Sequence, residues 1–251
     1  GYFRNYYKMK RAIVIGLNYT GEFYALPDCE IDADVMAAML KNAGAEVSVT
    51  KGECSPESII SYLVTVAATQ QKNGDTLYLY FSGHGTQFFD PLEPDSTGEA
   101  ICLYDDRKGI SILKDHDLRN ALDKVPGAKI IILDSCFSGG MERAVMIHRP
   151  GYQKRALPFD EDTMRVYRAP KTLKTDPKPP GKTYFLFASD EDEFSYSTGD
   201  GGLFTKALKF GRTQNELKTI SKLMKFAGVF CAGSQTPISK IFGGNGNKRI
   251  L

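Results

Sequence analysis

The chain has 251 residues, 42% hydrophobic and 25% charged, enough for one large domain or two small ones around a buried core. Lys and Arg number 32 against 30 Asp and Glu, a formal charge of +2. That excludes the basic field of a general nucleic-acid binder and the acidic excess of a disordered chain. The first strand is Arg11–Gly16, a short apolar run ending in glycine. Ile31, Val35, Met36, Met39 and Leu40 then share a helical face, with Gly44 as a stop. Glu46–Thr50 alternates as a strand. Ser55-Pro56-Glu57 opens a second helix with a cap, a first-turn proline and an acid at the positive end. Thr76–Phe81 is a strand, Leu118, Leu122 and Val125 mark a helix after Asp115, and Lys129–Leu133 and Thr183–Ala188 are further buried strands. Leu203–Phe210 and Glu216–Phe226 read as helices.

Strands separated by helices predict an α/β fold with a mostly parallel sheet covered on both faces. Ligands in such sheets sit at the carboxyl ends of the strands. Two segments break the alternation. Residues 88–110 are acidic and turn-rich, and 90–106 reads as a solvated loop, with calcium binding as the alternative. Residues 143–182 hold six of the 12 prolines and ten Lys and Arg against four Asp and Glu, so this segment is basic and reads as an exposed functional linker. The domain is expected to span 10–251, after an N-terminal extension at 1–9.

Several chemistries are missing. Gly16–Gly21 has the spacing of a phosphate loop but is followed by Glu22-Phe23 instead of Lys and a hydroxyl residue. There is no G-x-G-x-x-G, G-x-S-x-G or H-E-x-x-H. Five cysteines (Cys29, Cys54, Cys102, Cys136, Cys231) stand far apart, which argues against a disulfide framework and for a reducing cytoplasm. No apolar run approaches the ~20 residues of a membrane span.

What remains lies where the sheet rule points. Phe81-Ser82-Gly83-His84-Gly85-Thr86 follows the third strand, and Asp134-Ser135-Cys136-Phe137-Ser138-Gly139 follows Lys129–Leu133. A lone His84 reads equally as a structural histidine, and a lone Cys136 as an inert buried thiol. Together, at matching strand ends and about 50 residues apart, they read as a nucleophile and its acid/base partner. The Gly85 and Cys136 N–H groups are the candidate donors to a developing oxyanion, and glycine at 85 lets a substrate approach.

These two motifs resemble the catalytic motifs of metacaspases, within the caspase-like cysteine peptidases. Leu26-Pro27-Asp28-Cys29-Glu30-Ile31-Asp32-Ala33, Phe204-Thr205-Lys206-Ala207-Leu208 and Gln235-Thr236-Pro237 resemble further family segments, in the same order, over about residues 10–240. The resemblance implies a caspase-like fold with a six-stranded, largely parallel sheet. It implies an endopeptidase cleaving after Arg or Lys, with His84 as acid/base and Cys136 as nucleophile. Its acidic S1 pocket maps onto Asp32, Ser82 and Asp134, with Cys29 nearby. The residue chemistry agrees, since a carboxylate two residues before Cys136 attracts a cationic side chain and repels an acidic one. The family's calcium ligands align near Glu99, Lys114-Asp115 and Arg143, with Glu142 beside the last. Cations at ligand positions oppose an oxygen shell, so activity is expected to depend on calcium weakly or not at all. Where the family often has His-Ser-Gly after the nucleophile, Phe137 is expected to shape the pocket wall. The basic linker is the expected site of self-cleavage within 143–174, at one of Arg143, Arg149, Lys154, Arg155, Arg165, Arg168, Lys171 or Lys174. The expected partners are protein or peptide substrates and a possible regulatory protein, with no nucleic acid or membrane, and the chain is expected to be a monomer. The rival reading is a non-catalytic caspase-like scaffold that binds partners.

Overall fold

Every residue of Thr76–Ser82 is buried, as a strand covered on both faces must be. The structure, a computed structural model, describes residues 7–91, 93–137, 152–173, 182–190 and 193–250. Its strands are β1 (Lys10–Gly16), β2 (Glu46–Lys51), β3 (Thr76–Ser82), β4 (Gly85–Phe89), β5 (Thr97–Asp105), β6 (Gly109–Lys114), β7 (Ala128–Asp134), β8 (Gln153–Lys154), β9 (Arg165–Val166), β10 (Thr183–Phe187), β11 (Tyr196–Ser197) and β12 (Ile238–Phe242). Its helices are α1 (Cys29–Asn42), α2 (Pro56–Ser61), α3 (Ala68–Gln70), α4 (Asp115–Leu122), α5 (Leu203–Thr213) and α6 (Ile220–Phe230).

Six strands form one sheet in the order β12-β10-β7-β3-β1-β2. Neighbours run parallel except β12, which pairs antiparallel with β10 at the edge. Because side chains alternate across a strand, each central strand feeds two cores. Val14, Tyr80, Ile132 and Leu186 pack against Met36 and Leu40 of α1, Phe204 and Leu208 of α5, and Leu223 of α6. Ile15, Leu79, Phe81 and Ile131 pack against Ile59, Ile60 and Leu63 after β2 and against Leu118 and Leu122 of α4. Burying one such aliphatic side chain contributes about 1.5–3 kcal/mol.

The helix from Ser55 begins as expected, with the Ser55 hydroxyl accepting from Ser58 N–H at 3.2 Å. It does not stay α-helical: Tyr62–Ala67 widens into a π-helical turn before α3. The run Val64-Thr65-Val66 is β-branched, and the Thr65 hydroxyl donates to the Ser61 carbonyl, so the regular ladder has a competitor. The last helix starts later than its apolar pattern suggests, at Ile220, because Thr219 caps it by accepting from Lys222 N–H.

The acidic stretch 88–110 is not a loop. β4, β5 and β6 form an antiparallel meander, extended by β9 parallel to β6. Its acids cluster at turns, while Ile101, Cys102, Leu103, Ile112 and Leu113 are buried. At Gly98 a Cβ would lie 2.4 Å from the Phe88 ring, which would have to shift. The expectation of an exposed basic linker also needs correction. Residues 152–173 are bound to the domain: β8 pairs with β11, β9 joins the meander, Arg165 bonds Glu57 at 2.7 and 3.0 Å, and Arg155 is fully buried. Arg143, Arg149 and Lys174 lie outside the described residues. Among the described residues, no helix is long and apolar enough to cross a membrane.

Candidate active site

β3 and β7 pair in parallel with Ser82 opposite Asp134. His84 and Cys136 therefore each leave the sheet two residues beyond the same rung. Backbone bonds tie the two exits together, with Gly83 N–H donating to Asp134 O at 3.3 Å. Gly85 stands so close to the second exit that a Cβ on it would lie 2.3 Å from the Cys136 carbonyl oxygen. Its role is close packing of the two motifs, and not only room for a substrate.

His84 is held on all sides. Its N–H donates to the Tyr19 hydroxyl at 2.9 Å, and that hydroxyl donates to Cys102 O at 2.7 Å. The imidazole lies 4.8 Å from the Tyr19 ring centroid. Nε2 is 2.7 Å from the Tyr24 carbonyl, which accepts only, so Nε2 carries the proton. Among the described residues the buried Nδ1 accepts no hydrogen bond, and the Arg155 backbone stands beside the ring. Burial pushes the His84 pKa down to about 4, with the Arg155 charge adding to the shift and the Tyr24 carbonyl opposing it. The resting imidazole is therefore neutral. Cys136 is fully buried, and its thiol donates to Glu193 O at 2.8 Å.

The depressed pKa sets an expected pH response. Between pH 6.5 and 4 the unfolded chain binds a proton at this position and the folded chain does not. The folded state should therefore lose about 3 kcal/mol as pH falls through that window. Asp32, raised to about 6 mainly by burial, works in the opposite sense. The difference between wild type and His84→Gln in urea unfolding at pH 7 and pH 4.5 isolates the histidine. It should narrow toward the acid side, and a pH-independent difference would contradict the assignment.

Asp32, Ser82 and Asp134 come together around a group from the chain itself. Arg155 is fully buried. Its Nη2 donates to Asp28 Oδ1 at 2.9 Å and Asp32 Oδ2 at 2.7 Å, its Nη1 to Ser82 Oγ at 2.8 Å, and its Nε to Ser197 Oγ at 3.0 Å. Asp134 Oδ1 lies 3.0 Å from Nη1, as a charge contact without hydrogen-bond alignment. Cys29 is buried beside the cage, its thiol pushed up to about 12 by burial against the opposing charge of Arg155. The carboxylates are fixed from behind. Gly202 N–H donates to Asp32 at 2.8 Å, and Thr205 N–H and hydroxyl donate to Asp134 at 3.0 and 2.6 Å. Asp28 accepts from Ser197 Oγ and from the N–H groups of Thr198, Gly199 and Gly201. Burial raises the Asp28 pKa, but Arg155, Ser197 and Gly201 outweigh it and hold the carboxyl below its usual range.

Asp28 and Ser197 are the site residues that sequence reasoning missed. Asp28 carried a signal: it precedes Asp32 by four residues at a helix start, the spacing that puts two side chains on one face. Ser197 carried none, because it reaches the cage only through strand pairing.

The backbone completes the arrangement. The Arg155 carbonyl accepts from Gly85 N–H at 2.9 Å and from Cys136 N–H at 3.2 Å. These are the two donors expected to hold an oxyanion.

A family model described as the caspase domain matches residues 9–237. The chain belongs to the caspase-domain family. Metacaspase-3 of Arabidopsis thaliana is 29% identical over 225 residues, 84% of this chain and 59% of that protein. Metacaspase-7 of the same plant is 33% identical over 144 residues, 53% of this chain and 35% of that protein. The chain thus spans between about a third and three fifths of these curated relatives. Among solved structures, protein GSU0716 from Geobacter sulfurreducens is 26% identical with a TM-score of 0.74, covering 96% of this chain and 98% of that one. Caspase-1 from Spodoptera frugiperda, 18% identical with a TM-score of 0.60 over 93% of this chain and 85% of that one, shares the fold. This caspase domain has the six-stranded, largely parallel sheet that the resemblance implies.

Of the aligned calcium positions, Arg143 and its neighbour Glu142 lie outside the described residues. Glu99 and Asp115 line one cavity of about 70 Å³ with Arg119, Lys240 and several apolar side chains. Asp115 is paired with Arg119 at 3.6 Å, and Lys114 with Asp90 at 3.9 Å. Calcium needs six to eight oxygens, and Asp115 stands with Glu93 and His116, whose ligand atoms lie within 4.8 Å of one another. Phe137 lines the same cavity, edge-on to Phe187 at 6.0 Å, and not the Arg155 cage.

Proposed function

We propose that this caspase domain is a cysteine endopeptidase that cleaves after Arg or Lys with a Cys136–His84 dyad, and that its first substrate is its own bond between Arg155 and Ala156. The observation that carries this is the pose of Arg155, with its guanidinium among three carboxylates and its carbonyl oxygen on the Gly85 and Cys136 N–H groups. A bound substrate needs both contacts at once, one to select the side chain and one to stabilise the developing oxyanion.

The chemistry follows from the neutral resting pair. The Cys136 thiol turns from the Glu193 carbonyl and gives its proton to His84 Nδ1 as Sγ bonds to the Arg155 carbonyl carbon. The oxyanion forms on the two N–H donors. The resulting imidazolium gives its proton to the Ala156 nitrogen as the C–N bond breaks. Water, deprotonated by His84, then cleaves the thioester and leaves an Arg155 carboxylate. The Tyr24 carbonyl holds the ring in the tautomer this requires and stabilises the imidazolium. No step uses a metal, and activity should persist in a chelator. The five buried cysteines, none of them in a disulfide, support a reducing compartment, and we propose a cytoplasmic monomer acting on protein substrates, open to control by a partner protein.

The scaffold reading draws on the same observation, since Arg155 closes the pocket it fills. Affinity labelling separates the two. A fluoromethyl ketone on a peptide ending in Arg should add its peptidyl mass to Cys136 in peptide maps, whereas its Asp counterpart should not. Labelling by neither reagent, after Arg155 has been cut or mutated away, would favour the scaffold.

A further inference from the structure

The segment that delivers Arg155 also passes other side chains across the domain, and those contacts read as subsites. Gln153 and Lys154 pair antiparallel with Ser197 and Tyr196. Arg155 N–H donates to Ser195 O at 3.1 Å, and past the Arg155–Ala156 bond Leu157 N–H donates to Gly85 O at 2.9 Å. The chain is therefore held by main-chain bonds on both sides of that bond, as an added strand, which leaves its side chains to carry specificity. Alternate side chains of a strand point to the same side. Lys154 Nζ stands 3.8 Å from the centroid of the Phe194 ring. Tyr152 meets Tyr196 edge-to-face, with centroids 5.9 Å apart at 80°. Gln153 between them is exposed.

We infer that Phe194 selects Lys or Arg at P2, the residue before the P1 arginine, and that Tyr196 selects an aromatic residue at P4, with P3 unread. This rests on the peptidase reading above. The face of a phenyl ring is electronegative, so it attracts an ammonium or guanidinium and repels a carboxylate. The substrate class is then a dibasic site preceded by an aromatic residue, a narrower class than any Arg or Lys bond.

The test is hydrolysis of fluorogenic peptides Tyr-Gln-X-Arg with X as Lys, Ala or Glu. Lys should exceed Ala in kcat/KM by about three- to tenfold, the range of a partly desolvated cation–π contact, and Glu should fall below Ala. Phe194→Leu keeps apolar bulk without the ring and should bring the Lys-to-Ala ratio near one while Arg stays preferred over Asp at P1. Phe194→Tyr should keep the ratio. In the chain itself, Lys154→Ala should slow self-cleavage by a similar factor. Equal rates for Lys and Ala with the P1 preference intact would overturn this inference and leave the peptidase reading standing. No hydrolysis of any Arg peptide would overturn both.

Discussion

Purified wild-type chain is expected to separate on a denaturing gel into residues 1–155 and 156–251, while Cys136→Ala stays whole. The Arg155 carbonyl already rests on the two oxyanion donors, so reaction requires no diffusion of substrate and no docking entropy. N-terminal sequencing of the new fragment should read Ala156-Leu157-Pro158. Under native conditions the pieces should stay together, because β7 and β10 lie on opposite sides of the cut and pair along the length of β10. Arg155→Lys should still be cut, more slowly, since an ammonium cannot reproduce the planar fork that engages Asp28, Asp32 and Ser82 together. Arg155→Ala should not be cut at this bond. A cut elsewhere in 143–174 that Arg155→Ala leaves unchanged would show that the observed pose is not the reactive one.

The second large effect is on stability. In a Cys136→Ala background, where cleavage cannot interfere, Arg155→Ala should lower the unfolding free energy by about 3–5 kcal/mol, the cost of removing one partner from a buried charge cluster. Asp28, Asp32 and Asp134 are all buried and face the same guanidinium. Deleting it leaves like charges together with nothing to offset their desolvation. A small guanidinium compound such as argininamide should restore part of the loss in a concentration-dependent way, because it binds the folded state alone. It should do little for the chain that retains Arg155, whose cage is already filled. Equal urea midpoints for the two chains, or no argininamide effect, would mean that the cage is not a cation site. The same energetics bear on activation. Cutting after Arg155 leaves that residue in the pocket as a new carboxyl terminus, and it must leave before a second substrate enters. A lag between self-cleavage and peptide hydrolysis is therefore expected.

The fold is legible where a strand is buried on both faces or a helix has a stripe. Thr76–Phe81 and Lys129–Leu133 are continuous apolar runs, and their tails carry the two motifs, so local sequence suffices to place His84 and Cys136 at neighbouring strand ends. The meander is hidden because most acids of 88–110 sit at or beside its turns and dominate its composition, while buried Ile101 and Leu103 are ordinary strand residues. The linker misleads for a related reason. Ten cations and six prolines describe a solvated segment, and only tertiary structure shows that one of those cations is the largest fully buried side chain among the described residues. Local sequence reports the charge of Arg155. It does not report that Asp28, Asp32 and Asp134, up to 127 positions away, converge on it. Three of the four expected pocket residues touch the guanidinium directly, and Cys29 stands beside them, because α1 begins at the carboxyl end of β1 and brings its first turn to the sheet's active edge.

The central claim is that the carboxylate cage selects a cation next to a thiol nucleophile. Hydrolysis of matched peptides ending in Arg, Lys or Asp tests it most directly, with wild type, Cys136→Ala and Asp32→Asn compared side by side. The account predicts cleavage after Arg and Lys, none after Asp, complete loss in Cys136→Ala, and a fall of at least about tenfold for Arg peptides in Asp32→Asn, the loss of one charge-assisted bond of about 1.5–3 kcal/mol. Cleavage after Asp, or activity that survives Cys136→Ala, would contradict it.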